Sequence, residues 1–251
     1  HLENKGTALS LLQNIEEEEH PLLSSNFAPF FYYRWADLFY YTGNYDSALT
    51  IYNQIINTKG VEDTILVHTN FAIASVYNIY GYHNLSNRYC ENCIHIINTK
   101  NVCSYYIKSV YNLNAINYSG LGEKELAIVY HRKSLQEAFK KNDSAFIAIV
   151  YNNLANLYIE LEQQDSALFY LDKAEPNIEE MYRHFIYINR AQAFSVLHKF
   201  DEAFEEINKI DKELIEDEPW LRCKINLIFA QFDIENSNKG KAIVTLEKAS
   251  D

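Results

Sequence analysis

Cysteine and histidine are the residue types in this sequence best suited to metal binding or nucleophilic chemistry: four of one and eight of the other. Cys90 and Cys93 form a C-x-x-C, with His95 and Cys103 close behind. Zinc needs four such ligands at characteristic spacing, and the partner pair is missing. The surrounding pattern instead sets the two thiols three apart on one helix face. Cys90 and Cys93 are therefore expected to be buried, reduced and metal-free, as small apolar side chains. His68, His83 and His95 lie near one another, but their spacings do not share a helix face. His1, His20, His131, His184 and His198 are scattered, and Cys223 is isolated. No G-x-S-x-G, H-E-x-x-H or phosphate-binding glycine loop occurs. These residues predict a chain that is not an enzyme and that holds no metal and no cofactor.

The elements that carry these residues follow from composition. Hydrophobic residues make up 48% of the 251, with only seven glycines and four prolines. So few turn residues argue against β-rich and α/β folds and for long helices with tight connections. The formal charge of −12 divides as −5 over residues 1–125 and −7 over 126–251. With no basic stripe, nucleic-acid binding by this segment is not expected. No apolar run of about 20 residues is present, so no membrane insertion is expected, and no signal peptide opens the sequence. Glu16 to Glu19 read as a solvated linker.

Small residues recur at Ala36, Ala74, Ala115, Ala155, Ala191 and Ala230, and twelve positions later at Ala48, Ser86, Ala127, Ala167, Ala203 and Ala242. The spacing is constant within a unit and varies between units, which is what stacked helical hairpins predict. Phe39, Tyr77, Tyr118, Tyr158 and Phe194 stand three after the leading alanines; the last unit departs, with Asp233 there and Phe232 beside it. Ile55, Cys93, Ser134, Ala174, Ile210 and Ala249 stand seven after the second small residue. Such offsets form one helix stripe. Each helix offers a small residue where the pair crosses, and the aromatic fills the gap to the next hairpin.

The stretches Trp35 to Phe39 with Gly43 to Ala48, and Leu154 to Tyr158 with Asp165 to Ala167, resemble the tetratricopeptide repeat family. The resemblance implies an all-α fold, a right-handed α-solenoid of antiparallel helix hairpins. It covers residues 1–251 as a single repeat domain: a half unit at about 1–20, then units at about 27–60, 62–100, 102–141, 143–176, 178–214 and 217–251. About thirteen helices are predicted, including 3–16, 178–197 and 200–213. Departures include Ser86, the long periods, and Gln163-Gln164 and His198-Lys199 where a turn glycine is usual. The unpaired first helix and the stop at Asp251 inside a second helix imply a piece of a longer protein.

Residues 64–122 contain four charged side chains, Arg88, Glu91, Lys100 and Lys108, where the chain's 22% predicts about thirteen. Ten asparagines and eight tyrosines take their place. Such a surface suits binding; an AT-rich genome is the alternative source of the bias. In the resembled family the first helix of each unit lines a concave groove that holds a protein or peptide partner. Carried over, that groove receives Phe30, Tyr33, Asp37 and Tyr40, then Phe71, Ser75 and Asn78. Asn112, Ile116 and Ser119 follow, then Asn152, Asn156 and Ile159, then Ile188 and Gln192, then Leu227 and Gln231. Some members clamp a partner's terminal carboxylate with Lys and Arg; only Arg34 and Lys108 are near candidates here, and they do not form the pattern. Asn112 and Asn152 occupy equivalent sites, with Asn156 and Asn78 on the same face. They form either a ladder that pairs with a peptide backbone or a set of bonds to neighbouring helices and water.

The phrase Tyr151 to Tyr158, the long repeats and the opening Leu2-Glu3-Asn4 to Ala8-Leu9 are similar to sensor segments of membrane-anchored bacterial regulators. In those proteins a repeat array precedes a membrane helix and a DNA-binding or kinase module. The implied role is partner sensing in signalling, on the extracytoplasmic side. The alternatives are a cytoplasmic adaptor, a peptide-pheromone receptor domain, or an accessory module regulating a phosphotransfer enzyme.

Overall fold

The computed structural model describes residues 28–100, 102 and 105–250, with side chains to 247. The expected 3–16 helix, Pro21 and Cys103 lie outside them. Among the described residues there are thirteen α-helices and no strand. The helices are α1 Ala28–Tyr41, α2 Tyr45–Asn57, α3 Asp63–Ile79, α4 His83–Lys100, α5 Ile107–Gly120 and α6 Lys124–Lys140. After these come α7 Ser144–Glu160, α8 Gln164–Ala174, α9 Arg183–Val196, α10 Phe200–Ile207, α11 Lys212–Asp217, α12 Pro219–Glu235 and α13 Lys239–Ser250.

The chain forms two compact units, divided between Glu137 and Ala138. The first stacks the hairpins α1/α2 and α3/α4 with α5 and most of α6. The second stacks α7/α8, α9/α10 and α12/α13. All twelve small residues of the repeat are buried. The serine that departs from the pattern has a physical reason: Ser86 Oγ donates to the carbonyl of Ala74, its crossing partner, at 2.7 Å. Seven residues further along the second helix the same device recurs. Cys93 Sγ donates to Val67 O at 3.4 Å, and Ser134 Oγ to Lys108 O at 2.7 Å. Cys90 and Cys93 are free, fully buried thiols, and burial raises the pKa of both.

In three hairpins the aromatic register pairs with a second aromatic across the hairpin, a match not expected from the repeat spacing. Tyr77 stacks on Tyr89 at 5.6 Å, Tyr118 lies 5.1 Å from Tyr130, and Tyr158 stacks on Tyr170 at 5.4 Å. Each pair is twelve residues apart, as the small residues are. In the irregular last unit Phe232 packs instead on the preceding hairpin, 5.2 Å from both Phe200 and Phe204 on α10.

Three predicted helices are shorter than expected, and the one predicted over 102–120 begins at Ile107. The 178–197 helix begins at Arg183: Ile178 and Glu179 are extended, between 3-10 turns at Glu175–Asn177 and Glu180–Tyr182. The 200–213 helix ends at Ile207, and Asp211 caps α11 by accepting from Glu213 N at 2.9 Å.

Candidate partner-binding surface

Several expected surface residues are interior. Tyr33 and Asp37 are each 8% exposed. Asp37 accepts from Tyr52 Oη at 2.7 Å and from Arg34 at 3.2 Å, so it anchors α2 to α1 rather than facing a partner. Burial raises its pKa, against the lowering effect of Tyr52 and Arg34. Ile159 and Ile188 are core residues, because the first helices turn aliphatic side chains inward there. Phe30, Ile116 and Leu227 are exposed; Tyr40, Phe71, Ser75, Asn112 and Ser119 are half-buried.

Asn78 and Asn152 bond to neighbouring helices, while Asn156 donates within its own helix. In the first unit Asn78 donates to Asn117 Oδ1 at 2.8 Å, and Asn117 donates to Ser86 Oγ and Asn87 Oδ1 at 2.8 and 2.9 Å. In the second unit Asn152 Oδ1 accepts from Asn189 at 3.0 Å, and Asn156 donates to Glu160 at 3.1 Å. Gln231 accepts from Ser195 Oγ at 3.0 Å. Arg34 is engaged by Asp37, and the Lys108 ammonium sits 3.6 Å over the ring of Tyr105.

The cation that does occupy a first-helix face is Lys224, on α12. Its ammonium donates to Asn156 Oδ1 at 3.4 Å, Asn189 Oδ1 at 3.3 Å and Gln192 Oε1 at 3.4 Å. Burial lowers its pKa, and the nearby Glu160 acts in the opposite sense. Asn156 stands between the two charges, donating to one and accepting from the other. No described carboxylate lies within ion-pair distance of Lys224. Amide oxygens thus carry a partly desolvated ammonium that lacks a counter-ion in contact, an arrangement that leaves it attractive to an anion.

Apolar surface lies about one helical turn from this cluster. Phe185 on α9, one turn before Asn189, stacks on Trp220 at 5.2 Å, and Trp220 is one turn before Lys224 on α12. A cavity of about 340 Å³ is lined by Ile149, Asn152, Asn153, Ile178, Tyr182 and Phe185. Asn152 belongs both to the cavity wall and to the amide chain that ends on Lys224. The site therefore offers an apolar recess and a cation in one unit.

No protein-family model and no curated protein sequence matches this chain. Solved structures match it in fold. BtubC (BKLC) from P. vanneervenii is similar at 18% identity and a TM-score of 0.66, over 82% of this chain and 89% of that one. The Rap conjugation gene regulator of plasmid pLS20, solved in complex with the Phr* peptide, is similar at 16% identity and a TM-score of 0.70. That match covers 93% of this chain but only 64% of the regulator. With the buried crossing residues and repeated turns, these matches show an all-α fold of tetratricopeptide-like helical hairpins.

Proposed function

We propose that this chain is a non-catalytic scaffold that binds a peptide or protein segment on the first-helix faces of its second unit. Lys224 takes an acidic group of the partner, and the recess beside Phe185 takes an adjoining apolar side chain. One observation carries the reading: the Lys224 ammonium is held by Asn156, Asn189 and Gln192 with no carboxylate in contact. Amide oxygens satisfy its hydrogen bonds but leave its charge without a counter-ion in contact. Within the first unit, taken by itself, Asn112, Ile116, Ser119 and the exposed Phe30 remain candidate contact residues. The wider setting is sensing within a signalling or regulatory protein, which the resemblance to regulator segments supports. The Rap regulator, similar in fold, was solved in complex with the Phr* peptide, which supports a peptide as ligand.

The test uses an array of fluorescent peptides that combine an aromatic residue with a terminal carboxylate, a C-terminal amide or an internal aspartate. Peptides with an accessible carboxylate should bind, and Lys224→Met should weaken them about tenfold or more, the scale of a hydrogen bond to a charged group. The melting temperature should stay close to that of the wild type. Equal binding by Lys224→Met, or a preference for amidated peptides, would sink the reading.

A further inference from the structure

The hairpin turns of the first unit carry a chain of touching tyrosines. Tyr40 lies 5.6 Å from Tyr45, Tyr45 lies 5.9 Å from Tyr80, and Tyr80 lies 6.4 Å from Tyr82. The Tyr45 and Tyr80 rings are nearly perpendicular at 88°, and Tyr80 and Tyr82 cross at 74°. An edge-to-face contact covers at most one face of one ring in each pair, and Tyr80 and Tyr82 remain 40% and 61% exposed. Tyr80 Oη donates to Asp46 Oδ1 at 2.9 Å, which fixes that ring beside an exposed carboxylate.

Three aromatic faces elsewhere are covered by the chain's own ammonium groups: Lys108 over Tyr105 at 3.6 Å, Lys133 over Tyr130 at 4.5 Å and Lys173 over Phe169 at 4.8 Å. The tyrosine edge has no such cover. No lysine or arginine occurs in residues 35–58 or 60–87. Asp46 has no cationic partner among the described residues. The edge therefore has the electron-rich faces and the carboxylate of a cation site but supplies no cation.

We propose that Tyr45, Tyr80, Tyr82 and Asp46 form a docking surface for an arginine side chain of a partner protein. A guanidinium fits better than an ammonium, because its plane stacks on a tyrosine face while its edge donates to a carboxylate. Asp46 is already in contact with the Tyr80 hydroxyl, so one guanidinium can meet both. The surface belongs to the first unit and does not depend on the Lys224 site.

The experiment labels the tyrosine rings with carbon-13 and follows them by NMR. N-acetyl-arginine amide, N-acetyl-lysine amide and N-acetyl-citrulline amide are titrated separately. Arginine should shift the Tyr45, Tyr80 and Tyr82 signals and bind at least threefold more tightly than lysine or the neutral citrulline. Tyr82→Ala and Asp46→Asn should each weaken arginine at least threefold, while Tyr82→Phe and Lys224→Met should leave it unchanged. Far-UV circular dichroism checks that each variant is folded. Equal responses to arginine and citrulline would mean an uncharged occupant and overturn the proposal. So would equal responses to arginine and lysine, no shift at these rings, or unaltered binding by Asp46→Asn. Because Lys224→Met is silent here and decisive above, either proposal can fail alone.

Discussion

His131 is a histidine that the fold keeps uncharged. It is 2% exposed on α6, its Nδ1 has no hydrogen-bond partner, and burial pushes its pKa down to about 3. In the unfolded chain it takes a proton near its ordinary value of 6.5. Between those values the unfolded state binds the extra proton, so stability is intact above about pH 6.5 and falls as the pH drops towards 3. The slope for one such group approaches about 1.4 kcal/mol per pH unit. Denaturant unfolding at pH 7, 6 and 5 should show His131→Leu losing less stability across that range than the wild type; parallel losses would refute the assignment. Lys224 is a half-buried ionisable group that the sequence concealed. It stands six before Ala230, while its partners stand two before and one after Ala191, and one after Ala155. The site is a diagonal across three helices, whereas reading the same offset in every repeat selects a row. Rows found Asn152, Asn156 and Gln192, and left Lys224 and Asn189 unnoticed.

The hairpin turn is the element that sequence spacing describes best, once the register is right. Seven residues after each leading alanine the backbone enters the left-handed region: Gly43, Gly81 and Gly122 at φ 79, 75 and 79°, then Glu162, His198 and Ser237 at 58, 59 and 61°. At every one the next N–H bonds to the carbonyl of the residue three after the alanine, from Asn44 to Phe39 through Asn238 to Asp233. This is the Schellman closure of a helix end. The glycine-free turns were legible as turns, but the strained position in the fourth is Glu162 and not the Gln163-Gln164 pair. A side chain here costs conformational energy wherever it is not glycine. Glu162→Gly should therefore stabilise the second unit by roughly 0.5–1 kcal/mol. Gly81→Ala, whose added Cβ meets nothing within 4 Å, should cost about 1 kcal/mol or more from backbone strain alone. Chemical denaturation measures both, and a destabilised Glu162→Gly would show that its side chain makes a contact outweighing the strain.

At the scale of the whole chain the net charge of −12 opposes the acidic partner that Lys224 invites. Fold class was legible because small-residue spacing and glycine scarcity are properties of the whole sequence. Net charge was equally legible but gave no hint of a local cation, because one ammonium barely changes a sum of 56 charged side chains. The two scales respond differently to salt. Long-range repulsion acts before contact and is screened beyond about 10 Å at 0.1 M ionic strength. The bond to Lys224 forms in a partly desolvated place, where salt screens less. Raising salt from about 20 to 150 mM should therefore speed association of a carboxylate peptide a few-fold, while its dissociation rate changes little. Arginine at the tyrosine edge should show the opposite trend and bind more weakly as salt rises, since the same net charge attracts it. Stopped-flow anisotropy with the carboxylate peptide resolves the two rate constants. An association rate that falls steeply with salt would mean that the field of Lys224 reaches well beyond its amide cradle and dominates the approach.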